Sequence, residues 1–204
     1  MPSAAAPGMR NPFDVLVHTS GAIYATDNGP NVNFGPASLG QNQASIAHPE
    51  AFDELLLVER GNYYGHPNRA RSQDDPRQSV YYDDIVPSVP HVFTQRTARL
   101  LSSTNGIEEY RATAFNSQIR GQLAVMKWFG PIRLFALTPN GRQVVDPIGA
   151  SLSPGNWGLD LAVAPGGAIF SIDFNGDQVR VQVPNDAAAI GLSPYDVFPA
   201  RALT

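Results

Sequence analysis

Residues 8–31 read GMRNPFDVLVHTSGAIYATDNGPN. An Arg10-Asn11-Pro12 corner leads into a short apolar run over residues 14–18. A Ser20-Gly21 turn and a second run over residues 22–26 follow, closed by Asp27-Asn28-Gly29-Pro30-Asn31. Two short apolar runs joined by a glycine turn spell a β-hairpin. Its rigid strands deliver polar residues and bare backbone at both ends, where binding chemistry concentrates.

The hairpin returns near the other end of the chain. Residues 159–175, LDLAVAPGGAIFSIDFN, align without a gap with residues 13–29 at a constant offset of 146. Six of the 17 positions are identical: Asp14/Asp160, Val17/Val163, Gly21/Gly167, Ala22/Ala168, Ile23/Ile169 and Asp27/Asp173. Tyr24 is answered by Phe170. Matching both the turn glycine and the flanking aspartates in register marks an internal repeat.

Composition agrees with a chain of strands and turns. Of 204 residues, 43% are hydrophobic and 16% charged, enough apolar material for a single core and too little charge for default disorder. Eighteen Gly and eighteen Pro are far too many for a helical protein. The net charge of −4 leaves no basic surplus for nucleic acid. No run of about 18 apolar residues exists, so no membrane-spanning helix is expected. With no cysteine, disulfides, thiolate catalysis and zinc–thiolate sites are all excluded. Residues 1–12 lack the basic and apolar regions of a signal peptide and run at once into the first hairpin, as a chain beginning inside a larger fold would.

Between the repeats, residues 32–49 read as a polar loop and residues 55–59 as a buried strand. Residues 62–67 form an aromatic turn, residues 68–77 a charged loop, and residues 79–83 a short edge strand. Residues 104–110, 122–127, 132–138, 143–145 and 177–183 read as further strands, and residues 184–204 as a tail outside them. Helical periodicity is weak throughout, with one faint candidate over residues 44–57. Evenly spaced strands with a long repeat imply a propeller or a barrel. Blades of about 40–50 residues divide the offset into roughly three. The fold expected is therefore all-β, one domain over residues 1–204, holding about three to four blades of a β-propeller.

Three ordered motifs carry a family resemblance: Gly8-x-Arg10-Asn11-Pro12, Asn28-Gly29-Pro30-Asn31, and Gly61-Asn62-Tyr63-Tyr64-Gly65-His66-Pro67. With Ser103-Thr104-Asn105-Gly106-Ile107-x-Glu109-Tyr110 and Arg120-Gly121 before residues 123–128, the set resembles the glucose/sorbosone dehydrogenase family. That family comprises six-bladed propellers whose characterised members use pyrroloquinoline quinone (PQQ) with calcium. The resemblance covers most of residues 8–183 and implies an oxidoreductase acting on a small sugar or alcohol, periplasmic or extracellular in location. It places Arg10 and Asn11 on the quinone, and Lys127 near it after a one-residue shift. A guanidinium suits that task because its planar fork binds carboxylates, of which PQQ has three. It places the carbonyls of Gly29 and Pro30 on calcium, a hard cation that accepts carbonyl oxygen.

The chain also departs from the family. Two quinone-binding arginines expected ahead of the last hairpin are Trp157 and Leu159 here. The family's base histidine belongs to earlier blades that this chain does not contain, so no catalytic residue is assigned. His18 reads as structural, His66 lies in the aromatic turn, and His48 and His91 sit in proline-flanked loops. Asp173-x-Asn175-x-Asp177 reads as a β-turn, lacking the glycine and distant glutamate of an EF-hand loop. Two classes of function follow: part of a quinone-dependent sugar dehydrogenase, or a non-catalytic propeller segment that binds carbohydrate or protein. An incomplete ring exposes blade faces, so a homodimer or further N-terminal blades are expected to cover them.

Overall fold

A computed structural model describes residues 6–29, 53–65, 94, 96–100, 103–152 and 156–183. The first sheet is an antiparallel meander of β1 (Pro12–Val17), β2 (Ile23–Asp27), β3 (Asp53–Val58) and β4 (Ala98–Leu100). The second joins β5 (Thr104–Glu109) and β6 (Leu123–Lys127) to β8 (Arg133–Phe135) and β9 (Ala150–Ser151). A two-residue strand, β7 (Phe129–Gly130), leaves that meander to pair with β10 (Asn156–Trp157). The third sheet is β11 (Leu161–Val163), β12 (Ile169–Asp173) and β13 (Gln178–Gln182). The chain is all-β, and no helix among the described residues is long and apolar enough to cross a membrane.

Strand alternation explains why the sheets stack. Successive side chains point to opposite faces, so a strand apolar at every position must be covered on both sides. β6 is such a strand. Leu123 and Val125 join Leu16, Tyr24, Leu55, Leu100 and Phe135 in one core, while Ala124 and Met126 join Tyr110, Leu134, Leu161 and Ile169 in another. The second sheet is thus packed between the first and the third. Each sheet has a front face, toward the next sheet in chain order, and a back face toward the one before. β3 follows the same logic, because Leu55 and Leu56 on opposite faces are both fully buried. The C-terminal part of the faintly helical stretch 44–57 is therefore strand, its triple leucine demanding two covered faces.

The internal repeat is reproduced in the hydrogen bonds of its two hairpin turns. β2 and β12 begin and end on corresponding residues, Ile23/Ile169 and Asp27/Asp173. In the first hairpin the N–H of His18 donates to Ala22 O (2.9 Å), and that of Gly21 to His18 O (2.8 Å). In the second, Ala164 and Gly167 repeat both bonds at 2.9 and 2.8 Å. The left-handed conformations of Gly21 (φ 83°) and Gly167 (φ 92°) are the ones this turn requires. Asp14 and Asp160 each accept the N–H of the following residue, at 2.7 and 2.8 Å.

Two tyrosines tie sheet to sheet. The Tyr24 hydroxyl donates to Gly141 O of the second sheet's outer turn, and the Tyr110 hydroxyl to Gly167 O of the third hairpin's turn, both at 2.8 Å. A cluster around Glu109 adds to the first seam. Its carboxylate accepts the N–H (2.9 Å) and hydroxyl (2.6 Å) of Thr19, and Arg111 Nε at 3.0 Å, with His18 Nε2 at 3.3 Å. Burial pushes this carboxyl up, but the Thr19 bonds, Arg111 and His18 together hold it below its ordinary value.

Candidate functional site

One end of the stack gathers the start of β1, the end of β2, the start of β3, the end of β4, the start of β5, the end of β6 and the start of β8. The antiparallel meander makes this inevitable, since every second connection returns to the same side. Asp27, the last residue of β2, accepts the backbone N–H groups of Arg10 (2.9 Å) and Asn11 (2.7 Å). It thereby fixes the corner from which both predicted quinone residues project. Burial raises its carboxyl from 3.8 to about 6, against the lowering effect of these two bonds and the Arg10 charge. The Arg10 guanidinium turns inward, and Nη1 donates to Asn28 O (3.0 Å) and Gly29 O (3.1 Å). Pro7 and Gly8 support the corner from behind. Tyr64 N–H donates to Pro7 O (3.0 Å), and Gly8 at φ 93° lies so close to Tyr63 that a Cβ would meet its ring at 2.4 Å.

Asp53 connects this corner to the second sheet. Its carboxylate accepts Gly29 N–H (2.9 Å) and Thr104 N–H (2.6 Å). Thr104 pairs in register with Lys127. Lys127 lines a cavity of about 310 Å³ with Arg99, Leu100, Arg133, Pro147 and Ile148. Burial, then the neighbouring Arg133, pushes the Lys127 ammonium below its ordinary value, while Asp53 works the other way. Three cations on one cavity wall make a receptor for an anion.

Arg10, Asn11, Gly29 and Lys127 thus share one end of the stack, with Asp53 bridging them. Pro30 lies outside the described residues, as do His48, His66 and His91. Sequence reading missed Asp53, Arg99 and Arg133. Arg133 faces Val125 across the β6–β8 pair, and Arg99 sits on a three-residue strand with no periodicity to betray it. Trp157, which stands in place of a family arginine, uses its backbone to pair β10 with Phe129. The carbonyl of Leu159, at the other such place, accepts Gly106 N–H at 3.0 Å.

The residues present fit an anionic group better than a cation. Gly29 O, the carbonyl expected on calcium, already accepts the Arg10 guanidinium, and a calcium ion there would have to displace that charge. Among the described residues no three His, Asp or Glu side chains are grouped to hold a metal ion. Asp173, repeat counterpart of Asp27, turns instead to its own hairpin. It accepts Gly176 N–H (3.1 Å) and Arg180 Nε (2.7 Å), which agrees with the β-turn reading of residues 173–177.

The opposite end holds a chain of Ser20, His18 and Glu109. His18 Nδ1 lies 2.8 Å from Ser20 Oγ, and Nε2 lies 3.3 Å from Glu109 Oε1. That order resembles a nucleophile, base and orienting acid. Its surroundings do not support catalysis, because the adjacent N–H groups of Thr19, Gly21 and Ala22 are already bonded and offer no oxyanion donor. The chain joins the first sheet to the second.

No protein-family description matches the sequence, and no curated protein matches it significantly. Solved structures do match the fold. A glucose dehydrogenase aligns with 90% of this chain at a TM-score of 0.61 and 18% identity, and a second at 0.62 over 91%. A Trichoderma reesei carbohydrate-active enzyme aligns over 85% at 0.50 and 13% identity. The chain spans about half the length of these structures: 46, 48 and 52%. The fold is of the kind seen in glucose dehydrogenases.

Proposed function

We propose that the three sheets are consecutive blades of a β-propeller and that the chain is part of a quinone-dependent sugar or alcohol oxidoreductase. The observation that carries this reading is the convergence of Arg99, Lys127 and Arg133 on one cavity, bridged by Asp53 to the Arg10–Gly29 corner. PQQ is an anion of the right class, and when bound it supplies a two-electron acceptor for a hydroxyl carbon. Lys127 and the two arginines would hold its carboxylates. Arg10 keeps the Gly29 loop in place from the side, and the desolvated Lys127 ammonium gains most from an incoming negative charge.

Calorimetric titration of the purified chain with PQQ, with calcium or with a chelator, tests this reading. Binding at micromolar concentration, weakened at least tenfold in Lys127→Ala, is the expected result. Affinity should fall at a lower alkaline pH than an ordinary lysine of 10.5 would give, because the Lys127 ammonium is lost earlier. Chelation should change little while Arg10 occupies the Gly29 carbonyl, so strict calcium dependence would mean that the guanidinium yields to the metal. Absence of binding at millimolar PQQ by a folded chain sinks the quinone reading.

A second reading is a non-catalytic segment that binds carbohydrate or protein. It is favoured by the position of His18, the only histidine among the described residues, which is buried at the end remote from the cavity. Dye-coupled oxidation of glucose by the PQQ-loaded chain separates the two, since the second reading predicts none.

A further inference from the structure

Of the 14 lysine and arginine residues in this chain, a single one is lysine, and it is Lys127. As a carrier of positive charge, arginine is the better partner for a carboxylate or a phosphate. The two differ in a respect that matters to chemistry. A guanidinium stays protonated, whereas an ammonium on its flexible stem can release a proton and become a nucleophile. The single lysine stands in the wall of the cavity of about 310 Å³, a volume that suits a small molecule.

The local structure leaves the amine open. Lys127 ends β6, and Gly130 (φ 123°) lies against its stem, where a Cβ would come 3.1 Å from Cε and 3.3 Å from Nζ. No described residue makes a hydrogen bond or an ion pair with Nζ. Asp53, the carboxylate that acts on it from β3, already accepts the N–H groups of Gly29 and Thr104. The other charged groups around it are Arg99 from β4 and Arg133 from β8. Leu100, Pro147 and Ile148 make the rest of the wall. Apolar walls and like charge both favour the neutral amine, and Lys127 is shifted in that direction. Arg133 supplies an anion holder beside it. Among the described residues its guanidinium makes one long bond, from Nη1 to Gly149 O at 3.4 Å, which leaves the rest of the fork to a ligand.

We propose that the cavity is a carbonyl site, in which Lys127 forms an imine with a small aldehyde or ketone whose anionic group rests on Arg133 and Arg99. The neutral amine nitrogen attacks the carbonyl carbon, and its proton passes to the oxygen to give a carbinolamine. That oxygen then leaves as water while the C=N bond forms. No oxidant or reductant enters, and the step is reversible. Binding of the anion holds the carbonyl against the amine, which turns an encounter in water into a reaction within one cavity. The inference rests on the cavity and goes beyond the quinone reading, in which Lys127 acts as a charge.

The probes are pyridoxal 5′-phosphate, glyoxylate and uncharged pyridoxal. Each is added with cyanoborohydride, which delivers hydride to the C=N carbon and fixes the adduct as a secondary amine. Peptide mapping by mass spectrometry separates Lys127 from the α-amino group, the other primary amine of the untagged chain. An anionic probe should modify Lys127 about tenfold faster than pyridoxal does, and the faster of the two anionic probes identifies phosphate or carboxylate as the preferred group. Arg133→Gln should abolish that preference with unchanged far-UV circular dichroism. Lys127→Arg, which keeps the charge, should be modified at the α-amino group alone. With carbon-13 at lysine Cε the chain gives one lysine signal, whose titration midpoint should lie below 10.5 and rise when inorganic phosphate is added. Wild-type modification confined to the α-amino group, equal rates with charged and uncharged probes, or a midpoint at or above 10.5 would each overturn the proposal. A chain that binds PQQ and gives no Lys127 adduct strikes this inference and spares the quinone reading. An adduct without PQQ binding does the reverse.

Discussion

Asp27 illustrates how one carboxylate can organise a corner and still carry a cost. It holds the backbone of Arg10 and Asn11 while buried, and its acid form is favoured up to about pH 6. The folded chain then binds this proton more tightly than the unfolded chain does. Its contribution to stability is fully present below 3.8, the unfolded value, and is lost as pH rises through about 6. The difference corresponds to about 3 kcal/mol. Urea unfolding should show a stability difference between wild type and Asp27→Asn that changes by this order between pH 4 and 7. Glu109 behaves oppositely. Its carboxyl is held below 4.5, so its contribution is present at neutral pH and lost as pH falls below that value. Glu109→Ala leaves Thr19 and Arg111 without their acceptor and should cost about 3 kcal/mol at pH 7, read from the denaturation midpoint.

At the scale of elements, the seams between sheets depend on single groups reaching across. Tyr24→Phe removes the donor to Gly141 O while keeping the ring, and Tyr110→Phe does the same at Gly167 O. Each should cost about 1 kcal/mol with the fold intact, measurable by thermal melting. Gly141→Ala should cost more than either. Gly141 sits at φ 66°, and a Cβ would meet Ser20 Oγ at 2.3 Å. Several strands were legible in the sequence, because alternation and turn glycines are local signals; β2, β5 and β6 fall within a residue or two of their predicted bounds, whereas β4 and β9 had no such signal and the expected strand at 143–145 is a single bridge from Val144 to Leu137. The two-residue β7 and β10 were not, since nothing within so short a segment announces a partner about 27 residues away. The cavity was half legible. Lys127 came through a family motif, whereas Arg99 and Arg133 become its neighbours only once β3 pairs with β4 and β6 with β8. Long-range pairing is what single-sequence reading lacks.

Among the described residues, the second sheet packs against a neighbouring sheet on each face, and its central strand has four consecutive fully buried residues, Leu123–Met126. The slowest amide hydrogen exchange should therefore lie in β6, with the exposed strands β13 and β1 opening first. Protection distributed evenly over the three sheets would contradict this order. The third sheet keeps the aromatic ring of the repeat but not its hydroxyl, since Phe170 stands where Tyr24 clasps the sheet beyond it. A face of that kind attracts by water exclusion, a force that fades on cooling.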